Sequence, residues 1–167
     1  MKSRIYIDKI EEADWNQVKA IYLEGIATRN ATFQNHAPTW KEWNDNHPIE
    51  CRIKASVDNK VMGWAALSRV SNRSVYSGVG EVSVYVRQKS NGKGIGSLLL
   101  QKLIEVSEKM VTGCYRLEFF RKNIRSLMLH KKCGFREVGR RERIGKMEGV
   151  WRDTILVERR SNKVGNA

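Results

Sequence analysis

The sequence predicts an α/β fold, and one continuous stretch carries the three observations behind this prediction. Residues 81–86 alternate, with three valines on one side and polar or aromatic side chains on the other, which is typical of a strand. Apolar residues then recur at helical spacing, which predicts a helix over residues 94–110. A glycine-rich turn joins the two. Strand, tight turn and helix in this order predict a helix that packs on a sheet.

The turn itself has the composition of an anion site. The start of a helix leaves several backbone N–H groups without partners, and the aligned peptide dipoles add partial positive charge there. Gly92, Gly94 and Gly96 leave those groups open to close approach, and Lys93 adds a full charge. The G-x-G-x-G spacing fits neither a dinucleotide fingerprint nor a nucleoside-triphosphate loop. The spacing alone leaves two interpretations open, a phosphate site and a plain strand–helix connection.

The other elements follow from local signals along the chain. Asp58-Asn59 predicts the turn of a hairpin, Thr39 followed by Glu42 predicts a capping box, and Asp14 predicts the N-cap of an earlier helix. Gly134 predicts a helix end. The remaining predicted elements are strands over 4–7, 52–57, 60–67 and 115–120, a short helix over 123–132, and two C-terminal strands within 138–157.

Length and composition predict one domain over residues 1–160 and a flexible polar tail over 161–167. At 167 residues, with 41% hydrophobic and 29% charged residues, the chain fits a globular protein. No apolar run approaches the ~20 residues of a membrane span, so we expect no membrane partner. The three cysteines have no metal-ligand spacing, and the histidines at 36, 47 and 130 do not cluster with them. These observations predict a cytoplasmic protein that uses no metal.

The loop Asn91-Gly92-Lys93-Gly94-Ile95-Gly96 resembles the Gln/Arg-x-x-Gly-x-Gly/Ala loop of the GCN5-related N-acetyltransferase (GNAT) superfamily, although Asn91 replaces the usual Gln or Arg. The resemblance implies the GNAT fold, a central mixed, mostly antiparallel sheet flanked by helices, with splayed strands that hold acetyl-CoA. It also implies an acetyl-CoA site built from the loop, the strand before it and a later asparagine. The implied coenzyme-binding residues are Val84, Tyr85, Val86, Asn91, Gly92, Lys93, Gly94, Ile95, Gly96, Ser97 and Asn123.

Within that superfamily the chain resembles the phosphinothricin acetyltransferase group over most of its length. The run 123–135 matches that group's Asn-x-x-Ser-x-x-Leu-His-x-x-x-Gly-Phe/Tyr pattern, and 145–153 matches its C-terminal signature. Arg73-Ser74-Val75-Tyr76 matches an Arg-x-x-Tyr element, which implies that Arg73, Ser74 and Tyr76 bind the acceptor substrate. An arginine can hold a carboxylate through two parallel hydrogen bonds. The alternative for Arg73 is a solvated loop residue.

The implied reaction moves an acetyl group to a primary amine, which must lose a proton before it attacks. Glu81 is the predicted base, because glutamate is unusual in a strand and the phosphinothricin group has a glutamate here in that role. The alternative is a strand-edge carboxylate paired with a Lys or Arg. His130 is a second catalytic candidate with a suitable ordinary pKa, and its alternative is a packed, hydrogen-bonded histidine.

Other residues near this stretch have smaller expected roles. Backbone N–H groups near 84–86 are implied to stabilise the oxyanion, and Ser83, Tyr85 and Tyr115 are possible proton donors to the departing thiolate. Cys133 is not expected to act as a nucleophile, because direct transfer needs no covalent step. The resemblance implies that the Ala31-Thr32-Phe33 segment lies near the acceptor substrate, whereas the residues alone predict that Phe33 is a core residue.

The net charge of +13 is uneven, with 15 Lys/Arg against 6 Asp/Glu in 116–167 but 16 against 12 before it. Such a charge occurs in nucleic-acid-binding proteins, but no motif of that class accompanies it, and a phosphate-rich coenzyme also favours positive charge. We therefore expect no nucleic-acid partner.

The sequence thus predicts an acetyl-CoA-dependent N-acetyltransferase that acts on the amine of a small amino-acid-like compound, such as phosphinothricin, methionine sulfoximine or methionine sulfone. The family implies a homodimer. The alternatives are acetylation of a protein or peptide amine, and a basic binding module with a degenerate coenzyme site.

Overall fold

The computed structural model describes residues 4–165. It contains seven strands and four helices of at least seven residues in this part of the chain. They are β1 (Tyr6–Lys9), α1 (Trp15–Ala27), α2 (Trp40–Asn46), β2 (Arg52–Val57), β3 (Lys60–Arg69), β4 (Val79–Val86), α3 (Ile95–Glu108), β5 (Cys114–Phe120), α4 (Ile124–Lys132), β6 (Arg136–Met147) and β7 (Val150–Arg160).

All seven strands form one sheet in the order β1-β2-β3-β4-β5-β7-β6. Every neighbouring pair is antiparallel except β4 and β5, which are parallel. That parallel pairing is short, since it ends at the pair Glu81 and Arg116. Beyond Glu81 the strands β4 and β5 continue, to Val86 and to Phe120, without pairing with each other. The sheet therefore opens in its middle, and we call this opening the split.

Hydrophobic side chains cover both faces of the sheet. Successive residues of a strand point to opposite faces, and β3 shows this directly. Ala65 and Leu67 pack in a core with α3, whereas Trp64 and Ala66 pack in a second core with α1 and α2. The helices therefore form a layer on each side, which gives the predicted α/β architecture of a mixed sheet flanked by helices.

Local sequence signals located the central hairpin and the capping box correctly. Asp58 and Asn59 have φ of +48° and +61°, as the tight two-residue turn between β2 and β3 requires. The Thr39 hydroxyl accepts a hydrogen bond from the Glu42 N–H, and the Glu42 carboxylate accepts one from the Thr39 N–H. Both predictions are confirmed.

Asp14 occupies the predicted N-cap position of α1, but its side chain does not cap the helix. A 3-10 turn over Glu12–Asp14 precedes α1, so Asp14 already has helical backbone angles and its side chain caps no helix N–H group. Its carboxylate instead accepts hydrogen bonds from the Glu11 N–H and from Lys54. The first strand is also displaced from the predicted 4–7 to Tyr6–Lys9, and α3 ends at Glu108 instead of Met110.

The C-terminal strands form a longer hairpin than predicted, turning at Glu148 and Gly149, where φ is positive. The first residue after β7 packs against the rest of the protein. Ser161 is buried, and its hydroxyl donates a hydrogen bond to the Glu108 carboxylate. Residues 166 and 167 of the predicted tail lie outside the described residues. No helix within residues 4–165 is long and apolar enough to span a membrane.

Candidate active site

Two cavities meet at the split between β4 and β5. The smaller cavity has a volume of about 440 Å³ and extends towards α4, and the larger cavity has a volume of about 840 Å³ and extends towards α2 and β6. Six residues line both cavities, namely Ala31, Val82, Ser83, Tyr85, Leu117 and Phe119. Because they share this wall, a molecule that fills the smaller cavity reaches the larger one at the split.

The smaller cavity is bounded by β4, by the start of α4 and by the segment after α1. Asn123 is the N-cap of α4, since its side-chain oxygen accepts a hydrogen bond from the Ser126 N–H at 3.1 Å. Its amide nitrogen donates to the Asn30 carbonyl at 3.2 Å. Asn123 therefore ties two walls of the cavity together, and Val84, Val86 and Asn91 line the same cavity.

The glycine-rich loop continues from Asn91 into α3. Gly92 and Gly94 have φ of +77° and +79°, and a Cβ atom at either position would meet no protein atom within 4 Å. The first hydrogen bond of α3 runs from the Leu98 N–H to the Gly94 carbonyl, which leaves the amides of residues 95–97 as the unpaired helix start. The loop thus has the left-handed turns and the open space that an anion next to backbone N–H groups requires.

The predicted coenzyme residues divide into two sets. Val84, Tyr85, Val86, Asn91 and Asn123 line the smaller cavity, whereas the loop and helix start over 92–97 follow Asn91 and do not contribute to its wall. Three of the latter differ in their surroundings. Lys93 is exposed, and Ile95 is buried in the core. A Cβ atom built on Gly96 would lie 3.4 Å from Cδ2 of Leu129.

Aromatic side chains form one wall of the larger cavity, and the sequence did not predict that they pack together. Tyr22, Trp64 and Tyr85 contact one another with ring centroids 4.9 to 6.1 Å apart, and Trp43 packs edge-on against Trp64. Burial raises the pKa of the Tyr85 hydroxyl, so it keeps its proton at neutral pH. This wall continues to the split and gives the cavity an apolar side.

Glu81 lines the larger cavity at the point where β4 and β5 separate. Its side chain is 45% exposed, and one oxygen lies 3.8 Å from Nε of Arg116. The ion pair of the second alternative is therefore present, and at this distance it leaves the carboxylate open to the cavity, so the role of Glu81 as a base stays a prediction. A half-exposed carboxylate beside the split can accept a proton from a group in the larger cavity.

Residues 11–135 match the family model described as the acetyltransferase (GNAT) family. The chain belongs to the GNAT family. It shares 30% identity over 154 residues with YwnH of Bacillus subtilis, a protein provisionally named a phosphinothricin acetyltransferase, covering 89% of this chain and 94% of that one. The resemblance predicted from the glycine-rich loop is confirmed.

Two further relatives extend the comparison. The L-methionine sulfoximine/L-methionine sulfone acetyltransferase of Pseudomonas aeruginosa PAO1 is 28% identical over 156 residues, covering 92% of this chain and 84% of that protein. The structure of a Sinorhizobium meliloti GNAT phosphinothricin acetyltransferase in complex with acetyl-CoA superimposes with a TM-score of 0.87 at 24% identity. That match covers 98% of this chain and 91% of the other, and it confirms the predicted GNAT fold.

His130 lines the smaller cavity of this GNAT protein and not the larger one with Glu81. It is only 1% exposed, Nδ1 donates to the Ser126 carbonyl at 2.7 Å, and the ring packs on Phe119 and Phe135. Burial lowers the pKa of the imidazole. Nε2 is buried and has no hydrogen-bond partner among the described residues. These features fit the packed-histidine alternative, and a catalytic role stays a prediction.

Arg73, Ser74 and Tyr76 are exposed and line neither cavity. Ser74 and Tyr76 belong to a short 3-10 turn before β4, and the Arg73 guanidinium lies over the Tyr76 ring at 5.4 Å. The structure does not bring this element together with Glu81, so its role in acceptor binding stays a prediction.

Two other expectations change with the structure. Tyr115 is fully buried, its hydroxyl lies 2.9 Å from that of Ser107, burial raises its pKa to about 12, and it lines neither cavity. It is therefore a core residue, which leaves Ser83 and Tyr85 as the candidates at the split. Phe33 is not the predicted core residue, because its side chain is 41% exposed and lines the larger cavity.

Sequence reasoning also missed two basic residues. Lys122 and Arg125 lie at the start of α4 and line the smaller cavity. The signal was present as positive charge in the C-terminal third of the chain, but the sequence did not show which of its cations face the cavity. Among residues 4–165, no three His, Cys, Asp or Glu side chains come close enough together to hold a metal ion.

Proposed function

We propose that this GNAT protein transfers an acetyl group from acetyl-CoA to the primary amine of a small amino-acid-like acceptor, of the phosphinothricin, methionine sulfoximine or methionine sulfone type. The names of the relatives support this acceptor class. The observation that carries the proposal is the junction of two cavities at the split, with Glu81 on the acceptor side. A donor and an acceptor can each enter from its own side and meet there.

The smaller cavity suits acetyl-CoA. The elongated arm of the coenzyme would lie along Val84, Tyr85 and Val86, where β4 no longer pairs with β5. In this part of β4 every second residue turns its backbone N–H and C=O groups towards the split. The diphosphate would lie at the glycine-rich loop, because Gly92 and Gly94 leave room beside the helix start. Asn123 would hold the wall alongside the coenzyme.

Glu81 would act as the general base in the larger cavity. An alkyl ammonium must lose a proton to attack, and a carboxylate in reach, directly or through one water, can accept it. The neutral nitrogen then bonds to the thioester carbon, and the carbon–sulfur bond breaks to release coenzyme A. Backbone N–H groups of β4 at the split would stabilise the negative charge that forms on the carbonyl oxygen.

The departing thiolate needs a proton donor of modest strength only, because a free thiol has a pKa near ~8.5. Ser83 and Tyr85 both line the two cavities, so both stay candidates for this donor. His130 would act as a wall of the coenzyme cavity, with its unpartnered Nε2 as the atom through which any direct role would operate.

A homodimer in the cytoplasm is the expected assembly and location. The hairpin of β6 and β7 exposes the apolar side chains Val138, Val150 and Trp151, which a second copy could cover. Light scattering of the purified protein tests the assembly.

An acceptor screen tests the proposed function. Release of free thiol from acetyl-CoA is measured with methionine sulfone, methionine sulfoximine, phosphinothricin, a short peptide and a polyamine as acceptors. We expect turnover with the first three compounds. Turnover with the peptide alone would favour the protein-acetylation alternative, and a protein that binds acetyl-CoA but transfers its acetyl group to none of them would contradict the proposal.

A further inference from the structure

The described part of the larger cavity contains one permanently cationic side chain that can bind a negative charge. Of the lysine and arginine side chains in the described part of the chain, Arg141 of β6 is the one that lines this cavity. Of the two histidines there, His47 has a pKa lowered by burial and is therefore neutral near pH 7. An acceptor in this cavity that carries an anionic group meets a permanent positive charge at Arg141.

Arg141 lies at the end of a row of four charged side chains of alternating sign, which are Glu81, Arg116, Glu118 and Arg141. Within the sheet it is registered opposite Thr154 of β7, which is registered opposite Phe120 of β5. Its Nη1 lies 3.5 Å from a Glu118 oxygen, and Glu118 also accepts a hydrogen bond from the Thr154 hydroxyl. The position of the guanidinium is therefore set by the sheet and by one carboxylate.

The same row leads to the predicted base. Glu118 lies 4.0 Å from Arg116, and Arg116 lies 3.8 Å from Glu81. Glu81 and Arg141 thus stand at the two ends of a chain of ion pairs, and both line the larger cavity. The two inner members neutralise each other, which leaves a carboxylate at one end and a guanidinium at the other.

The donors of Arg141 are largely unused. Its side chain is 47% exposed, and its contact with Glu118 is longer than a good charged hydrogen bond. Among the described residues, no other group accepts a hydrogen bond from it. A guanidinium has donors arranged as a fork that matches a planar oxyanion, so a second carboxylate can bind beside Glu118.

We propose that Arg141 determines acceptor specificity by binding an anionic oxygen group of the acceptor, a carboxylate or a phosphinate, while Glu81 receives the proton of its amine. This inference rests on the proposed function and defines its acceptor as an amine that also carries an anion. It gives Arg141 a role that the sequence assigned to Arg73, and Arg73 lines neither cavity. Glu118 competes with the acceptor for Arg141 in this arrangement.

Matched acceptors separate recognition of the anion from general catalysis. KM and kcat are measured for methionine sulfone, for its methyl ester, and for the carboxyl methyl ester of phosphinothricin, which keeps only the phosphinate. In Arg141→Ala we expect KM for methionine sulfone to rise about tenfold or more, with kcat much less affected and with the ester changed less than about twofold. A raised KM for the phosphinothricin ester identifies the phosphinate as the bound group, and an unchanged one identifies the carboxylate.

Two further variants test the direction of the effect on KM, and an exposed arginine serves as a control. Glu118→Gln keeps an acceptor for the Thr154 hydroxyl but removes the competing charge, so KM for methionine sulfone should fall. Arg141→Lys keeps the charge without the fork and should give an intermediate KM. Arg69→Ala, which changes an exposed arginine outside both cavities, should leave KM unchanged, and Arg73→Ala tests the competing assignment made from the sequence. Thermal unfolding and acetyl-CoA affinity check that each variant is folded.

The outcomes are distinct. Equal effects of Arg141→Ala on methionine sulfone and on its methyl ester, together with an unchanged KM for the phosphinothricin ester, would overturn the role of Arg141 while the acetyltransferase function stands. A selective effect of Arg73→Ala instead would overturn it too. A wild-type protein that acetylates none of these acceptors would overturn both the proposed function and this inference.

Discussion

The ring of Phe33 lies against Gly145 so closely that no Cβ atom fits between them. A Cβ atom built on Gly145 would lie 2.5 Å from Cζ of Phe33. The same ring packs edge-on against Phe120 at 4.6 Å. Both Phe33 and Gly145 line the larger cavity, so the glycine in β6 sets the position of one wall of the proposed acceptor site.

Gly145→Ala should therefore displace Phe33 and weaken acceptor binding. Overpacking of this kind typically costs about 1–3 kcal/mol, and we expect a lower free energy of unfolding and a raised KM for methionine sulfone. Urea unfolding and steady-state kinetics measure the two effects. Gly139→Ala is the matched control on the same strand, since a Cβ atom there meets no atom within 4 Å. Equal behaviour of the two variants would show that the Phe33 contact does not matter.

Gly94→Val should weaken acetyl-CoA binding by more than its strain explains. With φ of +79° the position favours glycine, and a branched side chain there also enters the space beside the helix start. We expect the Kd for acetyl-CoA, measured by isothermal titration, to rise about tenfold or more. Gly149→Val has a similar φ of +82° in the β6–β7 turn and open space around it, so it should lose similar stability with no change in Kd. A Kd for Gly94→Val equal to that of the wild type would exclude the loop as the phosphate site.

Lys122 and Arg125 should supply part of the attraction for the anionic coenzyme. The double change to alanine is expected to raise the Kd for coenzyme A and to make it depend less on salt, because fewer charge contacts remain to be screened. Titrations at low and high salt measure both quantities. Changing Lys131 and Lys132 to alanine removes the same charge at the other end of α4, at exposed positions that line neither cavity. Identical losses for the two pairs would mean that only net charge matters.

His130 should make the fold less stable as the pH falls. Burial lowers its folded pKa, whereas the unfolded chain has its ordinary value near ~6.5, so between these values the unfolded state binds more protons. Stability is then fully present above about pH 6.5 and is lost as the pH falls towards the folded pKa. His47 is shifted in the same direction by burial and adds to this loss.

The measurement compares free energies of unfolding at about pH 7.5 and about pH 5.5. His130→Gln should show a smaller difference between the two pH values than the wild type. His36→Gln, which changes an exposed histidine, should keep the full difference. A His130→Gln protein with the wild-type difference would mean that His130 protonates freely in the folded state.

Much of the fold could be predicted because its signals are local. The alternation around Val84, the Asp58-Asn59 turn and the Thr39–Glu42 box each depend on a few neighbouring residues, and the structure agrees with all three. The side chain of Asp14 does not cap α1, and no local sequence pattern indicates why. A 3-10 turn precedes the helix, and Lys54 from a distant strand binds the carboxylate.

The site was predictable only where one segment builds it. The glycine-rich loop is continuous in sequence, so its shape and its family could both be recognised. Arg141 and Phe33 reach the larger cavity through strand register and loop packing over long separations in the chain, which no spacing rule gives. Arg73 was chosen by motif, and the structure places it outside both cavities.

The most direct test of the account is turnover of methionine sulfone by Glu81→Gln, with acetyl-CoA affinity measured on the same protein. The change keeps the shape of the side chain and removes the base, so kcat should fall about a hundredfold or more while the Kd for acetyl-CoA stays at the wild-type value. A variant that turns over at the wild-type rate would contradict the assignment of Glu81 and the direction of transfer across the split.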